Sequence, residues 1–155
     1  MRFLIFSDSH GRRDDMTEIL SRQKSLDGVF HLGDGRQDLI GLLPLSGEIP
    51  LFAAVGNCDR EPDRDYETVE LGGVKILYTH GHRLYVKYGT EHLLAAARRE
   101  EASVALFGHT HEPMLRYEDG IYLMNPGSVG MDRRAPYGAL DIQNGQILPS
   151  LHTLR

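Results

Sequence analysis

Phe3-Leu4-Ile5-Phe6-Ser7-Asp8-Ser9-His10-Gly11 is the stretch on which the fold turns. Its first four residues form an uninterrupted apolar run, the pattern of a strand buried on both faces. The run ends in a carboxylate and an imidazole two positions apart, which on an extended chain project to the same side. Gly11 then lets the backbone turn away. A turn is the commoner role of Asp and Ser after a strand, so this stretch alone decides little.

Four further stretches repeat the arrangement. Gly28-Val29-Phe30-His31-Leu32 reads as a second strand ending at Gly33-Asp34-Gly35. Leu51 to Val55 reads as a third, ending at Gly56-Asn57-Cys58-Asp59. Val74 to Tyr78 runs into Thr79-His80-Gly81-His82, and Val104 to Phe107 into Gly108-His109-Thr110-His111. Five strand ends therefore carry Asp8/His10, Asp34, Asn57, His80 and His109/His111. In open α/β sheets, ligands bind at the carboxyl ends of strands. Gathering imidazoles, two carboxylates and an amide there without compensation is costly, and a metal supplies that compensation.

The segments between set the class. Asp14 to about Lys24 has the helical period, with Met16, Ile19 and Leu20 on one face and Asp15/Glu18 spaced as a capping box. Asp38 to Leu43 suggests a short helix stopped before Pro44. Thr90 is the expected cap of a helix running to about Glu101. Thr68–Leu71 and Val74–Tyr78 form a hairpin around Gly72-Gly73. Met114–Tyr117, Ile121–Met124, Gly138–Ile142 and Gln146–Leu151 are late strands separated by Asp119-Gly120, Asn125-Pro126-Gly127 and Asn144-Gly145. Helices alternate with strands early and strands cluster late. That order suits α/β layers with a mixed sheet, or two sheets packed between helices.

The chain of 155 residues suggests a single domain, 1–155, with no internal repeat or linker. Its net charge of −5 counts against a nucleic-acid surface. No stretch approaches membrane-spanning length. One cysteine forbids an intrachain disulfide, and the first apolar run is too short for a signal-peptide core, so a cytoplasmic location is expected.

Asp8, His10, Asp34, Asn57, His80, His109 and His111 make seven candidate ligands. One metal takes about four to six, some of them water, so seven suit two metals sharing a bridge. Asp34, alone on its strand end with two oxygens, is the expected bridge. His and carboxylate donors suit Mn, Fe, Ni or Zn better than Ca, and selection among these depends on availability as well as affinity.

These motifs, joined in this order with Asn125-Pro126-Gly127-Ser128, resemble the calcineurin-like metallophosphoesterases, most closely their small single-domain bacterial and archaeal phosphodiesterase branch. The resemblance implies a four-layer α/β/β/α sandwich of two mixed sheets flanked by helices, the metallo-dependent phosphatase fold. It implies one metal on Asp8, His10, Asp34 and His111 and a second on Asp34, Asn57, His80 and His109, with Mn the common ion. It also implies hydrolysis of a small phosphodiester by a metal-bound hydroxide, with Asp34 and Asn57 at the catalytic centre.

Many members of that family carry His where this chain has Cys58. His82, two residues after His80, is the candidate to replace that imidazole at the phosphate. Arg12 and Arg13 suit a solvated helix start better than a phosphate contact. Arg133 and Arg134 suit a charged loop, and Tyr85 and Tyr88 suit packing. Cys58 is a poor nucleophile, because Asp59 beside it raises a thiol pKa. Two other functions remain open in the sequence. The first is a non-catalytic scaffold on the same fold, as in the retromer metallophosphoesterase-like subunit; retention of all seven ligands argues against it. The second is a nuclease, which lacks a basic stripe here. A homodimer is compatible with a small sheet-rich domain.

Overall fold

The computed structural model describes residues 1–42 and 47–155. Ten strands form two five-stranded mixed sheets. The first holds β1 (Arg2–Phe6), β2 (Gly28–His31), β3 (Leu51–Ala53), β9 (Pro136–Gln143) and β10 (Gln146–Thr153), in the order β10-β9-β1-β2-β3. The second holds β4 (Glu67–Leu71), β5 (Val74–Tyr78), β6 (Val104–Leu106), β7 (Met114–Glu118) and β8 (Ile121–Asn125), in the order β4-β5-β6-β8-β7. β1, β2 and β3 run parallel, as do β5, β6 and β8. The three tight hairpins, at Gly72-Gly73, Asp119-Gly120 and Asn144-Gly145, have positive φ at both central residues. That is the two-residue turn whose twist matches paired strands.

The apolar runs pack as continuous runs should. In β1, Phe3 and Ile5 face the second sheet and meet Val74, Ile76, Val104, Leu106 and Met124. Leu4 and Phe6 face the other way, against Met16 and Ile19 of α1 (Arg13–Ser21) and Leu39 of α2 (Arg36–Ile40). On the far side, Leu77, Ala105 and Leu123 pack against Leu93, Leu94 and Ala97 of α3 (Glu91–Arg99). The layers are therefore helix, sheet, sheet, helix, as the family resemblance implied.

The expected helix ends differ. Asp15 does not cap α1; it lies inside the first turn, and its carboxylate takes a two-pronged contact from Arg155 at 2.9 and 3.0 Å. Those contacts, led by the Arg155 hydrogen bond, hold its carboxyl below the ordinary range despite burial. Thr90 precedes α3 but makes no cap bond. Its hydroxyl accepts Arg116 at 2.6 Å instead. The second helix begins earlier than expected, at Arg36, and Leu43 and Pro44 lie outside the described residues.

Phe30 is the centre of the inter-sheet layer. It is fully buried, with Phe52 at 4.7 Å, Tyr78 at 5.4 Å and Phe3 at 5.9 Å between ring centroids. Phe30→Ala should lower the unfolding free energy by about 3–5 kcal/mol in urea titration. Leu148→Ala, on the exposed side of β10, should stay within about 0.5 kcal/mol. Equal effects would contradict this packing.

Candidate metal centre

The five strand ends named by the sequence converge. Asp8 Oδ1 lies 3.0 Å from His111 Nε2 and 3.8 Å from His10 Nε2. Asp34 Oδ2 lies 4.0 Å from His10 Nε2 and 3.4 Å from His80 Nε2. His80 Nε2 lies 3.0 Å from Asn57 Oδ1 and 3.1 Å from His109 Nδ1. Two groups of donor atoms result: Asp8, His10 and His111 on one side, and Asn57, His80 and His109 on the other. Asp34 Oδ2 faces both.

Local backbone geometry corrects one expectation. Asp8 and His10 do not project together from extended chain; both have left-handed backbone, at φ 53° and 45°. His109 and His111 do the same at 67° and 63°, and Asp34 at 54°. Each such residue costs of order 1–3 kcal/mol. The surroundings hold them there. Asp8 N–H donates to Gly33 O at 3.0 Å and His10 N–H to Asp34 O at 3.2 Å. The Ser128 hydroxyl donates to Asp8 O at 2.7 Å. Two motif glycines permit the approach: a Cβ at Gly56 would run into the Asp34 carboxylate, and one at Gly108 into the Ser7 hydroxyl.

Each carboxylate is turned by its second oxygen. Asp8 Oδ2 accepts the Ser7 hydroxyl and, at 3.2 Å, His109 N–H, which leaves Oδ1 for the histidines. Asp34 Oδ1 accepts Cys58 N–H at 2.8 Å, which leaves Oδ2 for the cluster. Burial acts to raise the Asp34 pKa, but the His80 and Cys58 contacts outweigh it, so the group lies below the usual carboxylate range.

His80 shows that the set suits a cation. Its Nδ1 is 2.7 Å from Leu32 O, and a carbonyl can only accept, so Nδ1 carries a proton. In the neutral ring Nε2 is then a bare lone pair facing a carboxylate oxygen and an amide oxygen. Burial disfavours charging the ring, yet Asp34 and Asp8 prevail and raise its pKa above the ordinary histidine value. His109 goes the other way, to about 4, through burial and the neighbouring His80 and Lys87 charges. Carboxylate oxygens and imidazole nitrogens gathered this closely form a donor set that suits a metal. His/Asp groupings with mutually close ligand atoms, Asp8/His10/His111 and Asp8/Asp34/His80, fit that role.

Cys58 is exposed, yet its sulfur reaches the His10–Asp34 side of the cluster. Its thiol pKa is raised, mainly by burial and then Asp34; Asp59, the expected cause, contributes less. His82 lies beside the second group, with ring centroids 5.3 Å from His80 and 6.0 Å from His109. Its Nε2 is 2.6 Å from Asp63 Oδ2, and its buried Nδ1 has no hydrogen-bond partner among the described residues. Arg12 pairs with Asp15 and Arg134 with Asp132. Arg133 lines a cleft beside His111. Tyr85 and Tyr88 stand out in solvent.

The residues that hold this arrangement were not singled out in the sequence. Asp59 accepts N–H groups of Asp34, Gly35, Arg36 and Gly56 at 2.8–3.2 Å, tying two ligand loops together. Ser9 donates to Asp38 at 2.7 Å and contacts His31 Nε2 at 3.0 Å, while Asp38 also accepts Gly11 N–H at 2.8 Å. Gly33 N–H donates to His31 Nδ1 at 3.3 Å, so Nε2 carries the ring proton, and burial lowers the His31 pKa to about 4. The available signal was Asp59's place one residue beyond Asn57-Cys58; His31 and Asp38 offered no spacing of their own.

A family model described as the calcineurin-like phosphoesterase superfamily domain matches residues 1–145. The probable metallophosphoesterase YsnB of Bacillus subtilis is 32% identical over 150 residues, covering 93% of this chain and 86% of that protein. The phosphodiesterase YfcE of Escherichia coli K12 is 33% identical over 103 residues, 59% of this chain and 52% of that protein. A predicted phosphoesterase of Streptococcus pneumoniae TIGR4 has a crystal structure matching at TM-score 0.80 and 31% identity, over 98% of this chain and 88% of that one. Vacuolar protein sorting 29 structures share the fold alone, at 17–18% identity.

Asp59→Ala should cost at least about 2 kcal/mol, since several partly buried N–H groups lose their acceptor together. Hydrogen exchange should accelerate at Asp34, Gly35, Arg36 and Gly56. Arg60→Ala, one residue on and exposed, should change neither reading. Unchanged exchange in Asp59→Ala would remove that residue from its role.

Proposed function

We propose, since the chain belongs to the calcineurin-like phosphoesterase superfamily, that it is a metal-dependent phosphodiesterase acting on small phosphodiesters with two divalent cations. The observation that carries this reading is Asp34 Oδ2, which faces His10 on one side and His80 on the other. Asp8, His10, Asp34 and His111 would hold one cation, and Asp34, Asn57, His80 and His109 the other. A bound pair supplies an ionised water as nucleophile at neutral pH and neutralises the phosphoryl oxygens. Manganese is the ion we assign, by the family's habit, and the cytoplasm the compartment, by the single cysteine.

The chain's own residues do the rest. Asp8 and Asp34 supply the negative charge that retains cations, and the Ser7 and Cys58 contacts fix which oxygen each presents. The raised Cys58 thiol stays protonated and is a weak hydrogen-bond donor. Diesters whose leaving oxygen needs little help, such as aryl esters, are therefore the favoured substrates. A scaffold has no need of seven converging ligands, five of them on strained backbone, which is why we place this chain with the enzymes.

Asp34→Asn should lose manganese from both positions and lower bis(4-nitrophenyl) phosphate hydrolysis at least about 100-fold, read by metal analysis and absorbance; two retained ions with normal turnover would refute the bridge. Protonated His80 cannot ligate, and its raised pKa means that metal uptake and rate should climb as pH rises past the ordinary histidine value of about 6.5. His109, at about 4, is neutral throughout and sets no limb of that profile. A chelator should abolish turnover. A flat profile, or full activity of chelated protein, would overturn the reading.

A further inference from the structure

We infer that the cleft walled by His111 and Arg133 is a subsite for one ester substituent of the substrate, and that the preferred diesters carry a second anionic group there, a carboxylate or a phosphate. The inference rests on the phosphodiesterase reading. A metal pair takes the reacting phosphoryl oxygens, so side chains around it must tell one diester from another. The His111 side presents such a place.

The cleft has a volume of about 530 Å³ and is lined by His111 itself together with Ser128, Met131, Asp132, Arg133 and Arg134. His111 is the ligand through which it opens on the centre. Its side chain is 39% exposed, whereas that of Asp8, 3.0 Å away, is fully buried. The opposite wall is fixed to the same ligand group. The Ser128 hydroxyl and Gly130 N–H both donate to Asp8 O, at 2.7 and 3.2 Å, and Met131 N–H donates to the Ser128 hydroxyl at 2.9 Å. Gly130 lies so close that a Cβ there would run into the Ser9 carbonyl oxygen. A wall that begins 120 residues beyond Asp8 in the chain is thus set firmly against the metal centre.

The charges on the lining do not cancel. Asp132 is engaged by Arg134, whose Nη2 and Nε donate to it at 2.8 and 3.2 Å and whose backbone N–H donates at 2.9 Å. The Arg133 carbonyl accepts Arg155 Nε at 2.8 Å, and Arg155 is held in turn by Asp15 at 2.9 and 3.0 Å. These contacts steady the backbone of Arg133. Its exposed guanidinium has no ion pair or hydrogen bond among the described residues. An uncompensated guanidinium in the same cleft as a metal ligand, in a chain of net charge −5, suits an anion. Its planar fork matches a carboxylate or a phosphate. Met131, 64% exposed on the same wall, offers apolar surface to the carbon chain that joins this anion to the reacting phosphoryl group.

The test is calorimetry on manganese-loaded protein with three methyl phosphodiesters, whose second alcohol is butanol ending in a carboxylate, a phosphate or a neutral carboxamide. The better of the two anionic ligands should bind at least about tenfold more tightly than the carboxamide, as a charge-assisted contact provides, and it identifies the anion. Arg133→Gln should remove the preference and Arg133→Glu should reverse it. Arg22→Gln, which removes an arginine paired with Glu18 at the end of α1, should keep it. Equal affinities in the wild type, or a preference that survives Arg133→Gln, would overturn the subsite. If Arg133→Gln weakens charged and neutral ligands equally, the guanidinium acts on the reacting phosphoryl group and the inference falls. A separate assay keeps the two readings apart, with the 4-nitrophenyl diester of the same carboxylated alcohol. If it is not hydrolysed while the anion preference and its loss in Arg133→Gln hold, the phosphodiesterase reading fails and the subsite stands. If it is hydrolysed and no preference exists, the subsite alone fails.

Discussion

The constraint on which the rest depends is the convergence of many electron-pair donors on one small volume. Two carboxylates, an amide oxygen and four imidazoles meet at the ends of strands from two different sheets. The Leu32 carbonyl fixes the His80 ring so that its Nε2 enters this crowd, and the Ser7 and Cys58 contacts do the same for the Asp8 and Asp34 oxygens. Such an arrangement is repulsive in itself. A proton on His80 relieves part of it, and divalent cations relieve far more. The fold has been arranged to hold the groups together despite that repulsion.

Much of the surrounding structure follows. Five of the seven donors sit on left-handed backbone, which places each side chain across its loop rather than along the strand. At of order 1–3 kcal/mol each, this strain persists only because rigid elements enforce it. The double-sheet core, buried on both faces of β1, provides the rigidity. Asp59 and the Ser9–Asp38–His31 contacts transmit it to the loops. Close approach of Gly56 to Asp34, and of Gly108 to Ser7, explains why a glycine precedes both the Asn57 and the His109 ligand.

The α/β class was legible in the sequence because its strands are apolar on both faces and its turns carry Gly-Gly, Asp-Gly and Asn-Gly; the choice of two packed sheets over one mixed sheet came from the family resemblance. The ligand residues were legible because all of them follow those strands. The backbone conformation at Asp8 and His10 was not, since two-residue spacing looks the same on extended and on left-handed chain. The helix ends misled for another reason. Asp15 and Thr90 suit caps locally, but Arg155 and Arg116, distant in the chain, claim their side chains. Asp59 and His31 act through backbone N–H groups and a buried hydroxyl, and no residue spacing records such contacts.

The most direct measurement is a crystal structure of manganese-soaked protein with data collected around the manganese absorption edge. The account predicts two anomalous peaks about 3.5–4 Å apart, one among Asp8, His10 and His111, the other among Asn57, His80 and His109, with Asp34 touching both. A single peak, or peaks that leave Asp34 unligated, would contradict it.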